Sequence, residues 1–278
     1  MKRVLTVQDI SCVGKCSLTV ALPIISAFSI ETAVLPTAVL SNHTAFKEFT
    51  FHDLTPEIEP IYKAWKKENI TFDCIYTGYL GSKEQIKLVG DIFSNFKSSS
   101  NFTLVDPAMA DHGKLYKGFD EDFAKSMASL SGKADVTVPN LTEASFMLGI
   151  PYVEKGYTQD YIKDVLGKLC DLGSNLAVLT GVSFDEKLLG VYAYDKKANK
   201  YYQYYREKLP AMFHGTGDVF ASSLTGALSL GKDVQSALEI AVDFTWESID
   251  LTLKNPNHNW YGVDFENAFP SLIKRLEK

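Results

Sequence analysis

His214-Gly215-Thr216-Gly217-Asp218 is the run of residues best suited to chemistry in this sequence. Two glycines let the backbone approach a ligand closely, and the Val219 to Leu224 pattern behind them opens a helix. The first amides of a helix have no partner within it and sit at the positive end of its dipole, so an anion fits there. Asp218 is then a carboxylate beside an anion site. It could take a proton from an attacking hydroxyl while the amides hold charge on a transferring phosphoryl group. The same residues could equally serve as a glycine turn and cap for a buried helix.

Short apolar runs that would carry such a site recur between stretches of helical period. They are Arg3 to Val7, Thr32 to Leu35, Cys74 to Thr77, Thr103 to Val105, Val136 to Val138 and Leu176 to Leu179. Helices are expected from Thr55 to Asn69, from Ser82 to Phe96 and after the Pro139-Asn140 turn. That alternation predicts βαβ units and a parallel sheet. Gly190 to Tyr194 and Tyr201 to Tyr205 predict an added antiparallel hairpin, and the last third reads as helices Thr216 to Leu230, Val234 to Lys254 and Phe265 to Lys274. Ser98 to Asn101 suits a mobile loop, and Ala110 to Phe119 either a flap or an ordinary surface loop.

With 278 residues, 46% hydrophobic and 22% charged, the chain can bury one large core, so a single α/β domain over 1–278 is expected. A net charge of -6 argues against a nucleic-acid or anionic-membrane partner. Neither a signal peptide nor a membrane-length apolar run is visible, so a cytoplasmic location is expected. Cys12, Cys16, Cys74 and Cys170 are scattered, without zinc-ligand spacing. Cys12 and Cys16 read either as small core residues or as substrate contacts. Trp65, Trp246 and Trp260 read as core or interface aromatics.

Five motifs in order carry a resemblance to a known family. They are Leu40 to Phe46 (LSNHTAF), Thr77 to Ser82 (TGYLGS), Val105 to Asp111 (VDPAMAD), Val138 to Ala144 (VPNLTEA) and Gly215 to Phe220 (GTGDVF). Together the chain resembles pyridoxal and pyridoxamine kinases of the ribokinase-like superfamily. The resemblance implies a three-layer α/β sandwich, with a mostly parallel central sheet, helices on both faces and no separate lid domain. It implies transfer of phosphate from ATP, with Mg²⁺ and a monovalent cation (K⁺ or Na⁺), to a vitamin B6 vitamer, by a homodimer.

Carried over by position, Asp218 is the base and Gly215, Thr216 and Gly217 the anion hole. Asn140, Glu143, Thr180 and Gly181 bind nucleotide, and Asp106, Asp111 and Glu143 lie near metal. Asp9, Ser11, His43, Thr44 and Tyr79 face substrate; His43 could equally be a loop histidine satisfied by backbone. The sequence departs from the family at Gln8-Asp9, where many members have Gln-Ser, which leaves the preferred vitamer open. Hydroxymethylpyrimidine is the alternative substrate, and a catalytically idle vitamer-binding protein the alternative class. Gly14-Lys15 is not a phosphate loop, because the upstream glycine is absent and Cys16 stands where Ser or Thr would hold Mg²⁺. No dinucleotide fingerprint follows the first strand, and no nucleophile elbow is present.

Overall fold

The computed structural model describes residues 1–277. The aliphatic run that opens the chain forms β1 (Arg3–Val13), buried without a break from Val4 to Asp9, as a strand covered on both faces requires. It runs beyond the expected Val7 because it stays paired, in parallel, with β2 (Glu31–Asn42) out to Val13. The register slips between Gln8 and Ile10, next to Pro36, which has no N–H to give to the ladder. Asp9 occupies that irregularity.

Helix α1 (Leu18–Ala27) lies between these strands. It is followed by β3 (Phe51–Asp53), antiparallel to β2, then α2 (Thr55–Lys67) and β4 (Cys74–Thr77). The strand order here is β4–β1–β2–β3. Only the turn 14–17 separates β1 from α1, so no lid sheet is inserted there.

The middle of the chain adds α3 (Lys83–Phe96), β5 (Phe102–Val105), a small hairpin of β6 (Ala110–Asp111) and β7 (Lys114–Leu115), and α4 (Glu121–Ser131). Next come β8 (Val136–Thr137), α5 (Leu141–Leu148), α6 (Gln159–Asp171), β9 (Leu176–Val182), β10 (Leu188–Asp195) and β11 (Lys200–Glu207). The order is β11–β10–β9–β8–β5, with β5, β8 and β9 parallel and β10 and β11 antiparallel. The expected hairpin is therefore present. Helices α4 and α6 were not anticipated, although each starts at a side-chain cap, Asp120 and Thr158, that accepts from an amide three residues on.

The chain ends in α7 (Thr216–Ser229), α8 (Val234–Lys254), a 3₁₀ turn (Phe265–Ala268) and α9 (Phe269–Leu276). α1 packs on β1 and on α7, burying Val20, Ile24 and Ile25 with Val219 and Leu224, each worth about 1.5–3 kcal/mol when fully buried. The class is thus α/β, with a mostly parallel sheet flanked by helices. Contacts gather in two compact units, one of Met1–Tyr76 with the chain from Leu209 onward, the other Thr77–Lys208. No helix among the described residues is long and apolar enough to cross a membrane.

Candidate active site

Helix α7 differs at its start from five other helices of the chain. α3, α4, α5, α6 and α8 are each capped by a side chain that accepts from the amide three residues on, whereas the N-cap of α7 is Gly215, which has no side chain to do so. Its first amides are left to a ligand or to water. Gly215 has φ +78, and a Cβ there would fall inside the Lys15 carbonyl oxygen, so only glycine fits. At Gly217 a Cβ would meet nothing within 4 Å, so the outer wall of the turn is open.

Asp218 follows in the first turn of α7, with Asp9 of β1 near enough to act on it. Burial raises the Asp218 pKa to about 7, a donated hydrogen bond from the Ser17 amide opposes this, and the Asp9 charge adds to it. Asp9 is 4% exposed, and its carboxylate accepts from the Ser11 hydroxyl at 3.0 Å and from the Ser17 hydroxyl. Its pKa is also raised, chiefly by burial. The structure therefore brings Asp9, Ser11, Gly215, Thr216, Gly217 and Asp218 into one unit and adds Ser17. Sequence reading missed Ser17; its position, just before α1, was the available signal. Burial, then the charges of Asp218 and Asp9, pushes the Cys16 thiol far up, so it stays protonated and is no nucleophile.

His43 fits the loop-histidine reading. It is 6% exposed, its Nε2 lies 3.1 Å from the Tyr261 carbonyl, and its Nδ1 accepts from the Ala45 amide at 3.2 Å. Both nitrogens are committed to backbone, so no substrate hydrogen bond is left to them. The His43 pKa is lowered, mainly by burial, and the ring packs among Phe46, His214 and Trp260. Trp260 is 55% exposed and covers Phe46 at 4.7 Å, so it is not a core residue. Thr44, beside His43, is exposed.

A second polar cluster lies in the other unit. Asn140 caps α5 by accepting from the Glu143 amide, and Glu143 returns the bond by accepting from the Asn140 amide, each at 2.9 Å. The other Glu143 oxygen accepts from the Met109 amide at 2.9 Å, and Asn140 donates to the Ala110 carbonyl at 2.8 Å. Glu143 is 3% exposed, with its pKa raised to about 7 by burial, against the amides, with the Asp111 charge adding. With each oxygen on a backbone amide, it braces the 106–111 segment, and each oxygen keeps a lone pair for a metal-bound water.

Asp106 is 8% exposed with one oxygen on the Ala108 amide at 3.3 Å, and Asp111 is exposed at the hairpin. Among the described residues no three His, Cys, Asp or Glu side chains group to hold a metal ion. Two carboxylates without a cage still fit Mg²⁺, which keeps several waters and takes phosphate oxygens. Thr180 pairs with Asn140 by a parallel bridge, its amide 3.0 Å from the Pro139 carbonyl, and Gly181 follows at φ +71. Tyr79 packs on Phe119 at 5.7 Å, and Phe119 stacks on Phe123 at 3.8 Å.

Comparison with known proteins agrees with this arrangement. A family model described as phosphomethylpyrimidine kinase matches residues 25–262. A Bacteroides thetaiotaomicron protein, provisionally described as a phosphomethylpyrimidine kinase and crystallised in a form with pyridoxal, is 40% identical with a TM-score of 0.93, covering 98% of this chain and 95% of that one. Pyridoxal kinase from Lactobacillus plantarum is 28% identical with a TM-score of 0.90, over 99% of this chain and 97% of that one. Pyridoxal kinase of Dictyostelium discoideum is 26% identical over 266 residues, 90% of this chain and 86% of its own. The chain belongs to the phosphomethylpyrimidine kinase family, within the ribokinase-like superfamily that also holds the pyridoxal kinases.

Proposed function

We propose that this chain transfers phosphate from ATP to the 5′-hydroxyl of a vitamin B6 vitamer. The observation that carries it is the glycine turn opening α7 without a side-chain cap, directly ahead of a desolvated Asp218. Asp218 takes the proton from the attacking hydroxyl, and the Gly215 to Gly217 amides hold the charge of the transferring group. Asp9 and Ser11 receive the acceptor's polar edge, with Thr44 and Tyr79 as further contacts. Asn140, Thr180 and Gly181 bind the nucleotide. Asp106 and Asp111 would hold Mg²⁺, which neutralises phosphate charge when bound, with Glu143 keeping their segment in place. The relatives named for pyridoxal kinase activity, and the one crystallised with pyridoxal, support the B6 reading.

The two units then act as one kinase domain, working as a homodimer in the cytoplasm, where ATP is abundant, with K⁺ or Na⁺ assisting. Hydroxymethylpyrimidine is the second reading for the acceptor, favoured by the description of the matching family model. An idle binder is disfavoured by the intact Asp218 and glycines.

The test is phosphorylation of pyridoxal, pyridoxamine, pyridoxine and hydroxymethylpyrimidine with Mg²⁺ and ATP, by wild type and Asp218→Asn. Turnover of a vitamer is expected, with the variant at least ~10²-fold slower in kcat and unchanged in ATP affinity. Turnover of the pyrimidine alone would move the acceptor, and a fully active variant would remove Asp218 as the base.

A further inference from the structure

Lys15 was set aside as part of a phosphate loop, and the structure gives it another place. Its ammonium lies 3.1 Å from Asp264 Oδ1 and 2.8 Å from Glu266 Oε2, and 5.5 Å from the centre of the Phe265 ring. Burial works against the charge, but the two carboxylates outweigh it and its pKa lies above the usual value. Asp264 is itself anchored: its other oxygen accepts from the Asn255 amide group at 2.8 Å, and its backbone amide donates to the Thr252 hydroxyl at 2.7 Å. The ion pair thus joins the turn between β1 and α1 to the end of α8, across almost 250 residues of sequence.

That turn is strained and crowded. Gly14 has φ +136 and Ser17 φ +51, unusual for a residue with a side chain. The His43 ring closes on Gly14, where a Cβ would meet His43 Cδ2 at 2.6 Å. Gly262 abuts the Lys15 side chain so closely that a Cβ there would overlap Lys15 Cβ, and Gly215 abuts the Lys15 carbonyl. The turn ends at Ser17, whose backbone N–H works to lower the Asp218 pKa.

We propose that Lys15 is a positioning residue for phosphoryl transfer: anchored on Asp264 and Glu266, it holds the Gly14 to Ser17 turn so that its own carbonyl fixes the Gly215 loop and the Ser17 amide meets Asp218. This rests on Asp218 being the base. A turn in this conformation does not persist on local preference, because its backbone angles are unfavourable; the Thr19 hydroxyl, within 3.0 Å of the Gly14 and Cys16 carbonyls, holds it from within, and the Lys15 anchor restrains it from the C-terminal segment. The titratable groups acting on Asp218 among the described residues are Asp9 on β1 and Cys16 on the turn, and Lys15 directs its own charge to the C-terminal segment.

The experiment compares Lys15→Met, Lys15→Arg and Gly262→Ala with wild type, using Mg²⁺, ATP and whichever acceptor wild type phosphorylates. Lys15→Met and Gly262→Ala should lose ~10–10²-fold in kcat with KM for ATP within about twofold, since the loss is in alignment and not in nucleotide binding. Their pH profiles should move to higher pH, because Asp218 loses the amide that stabilises its charge, and Lys15→Arg should restore most of both. Wild-type kcat and pH profile in Gly262→Ala, or in a folded Lys15→Met, overturns the proposal. So does a loss of melting temperature and active fraction with the profile unmoved. If wild type phosphorylates no acceptor, the kinase reading fails by itself, and the Asp218 carboxyl is followed by ¹³C NMR, assigned by its absence in Asp218→Asn. A higher pKa in Gly262→Ala supports the positioning role, and an unchanged one overturns it.

Discussion

Two carboxylates, Asp218 and Asp9, are buried close together with hydroxyls and backbone amides as partners, and this sets how the reaction should respond to pH. A carboxyl whose pKa is raised to about 7 remains protonated, and useless as a base, until the pH passes that value. The acid limb of kcat/KM for the acceptor, which reports the enzyme before the acceptor binds, should accordingly fall near pH 7, well above an ordinary aspartate. Asp9 raises the Asp218 pKa, so Asp9→Asn should move the limb to lower pH while weakening acceptor binding. A pH profile of kcat/KM for the acceptor checks this, and an unmoved limb would mean the two carboxylates do not interact. Asp218 was legible in the sequence because glycines, acid and helix start are contiguous. Ser17, Lys15 and the Tyr261 carbonyl that occupies His43 were not, since their partners lie far along the chain and no local pattern records them.

At the scale of elements, what positions the site is the contrast between a helix without a side-chain cap and a doubly capped one. Gly215→Ala should fail twice over, since alanine is strained at φ +78 and its Cβ collides with the Lys15 carbonyl. Gly217→Ala has room, so it should fold with wild-type stability and lose activity only as far as its methyl crowds a phosphate. Melting curves beside kcat separate the two. For α5, Asn140→Ala removes the cap and the bond to Ala110, costing about 0.5–2 kcal/mol and loosening the hairpin that bears Asp111. Urea midpoints together with KM for ATP would show this, and a loss of stability with KM unchanged would take Asn140 out of nucleotide binding. Strands were largely legible, because buried parallel strands leave continuous apolar runs: Cys74–Thr77 was read residue for residue. Their ends were not, since β1 continues past Val7 through polar Gln8, Asp9 and Ser11, which no apolar run marks. Helices α4 and α6 escaped although their caps, Asp120 and Thr158, were there to be read.

For the whole molecule, the question is whether two compact units respond to ligands as one. The first unit contains both the start of the chain and its last quarter, and the second is inserted between residues 76 and 209. Strand β4 has Cys74 to Tyr76 in one unit and Thr77 in the other, so loss of either unit breaks this buried strand. Unfolding should therefore be a single transition. In the proposed reading the acceptor residues Asp9, Ser11 and Thr44 and the Gly215 to Gly217 turn belong to the first unit, and Tyr79, Asn140 and Thr180 to the second. A ligand at about 100 times its Kd stabilises by about 2.7 kcal/mol, which for a chain of this size raises the melting temperature by roughly 5–10 °C. Under cooperative unfolding, Mg²⁺ with ADP, or a B6 vitamer alone, should shift the entire transition by that amount. Asp218→Asn should keep the nucleotide shift, since the base contributes to chemistry and not to nucleotide binding. Calorimetry with each ligand separately is decisive. A transition that splits, with only one component moved by ADP, would mean the units melt independently and that the single-domain expectation from length and composition is wrong.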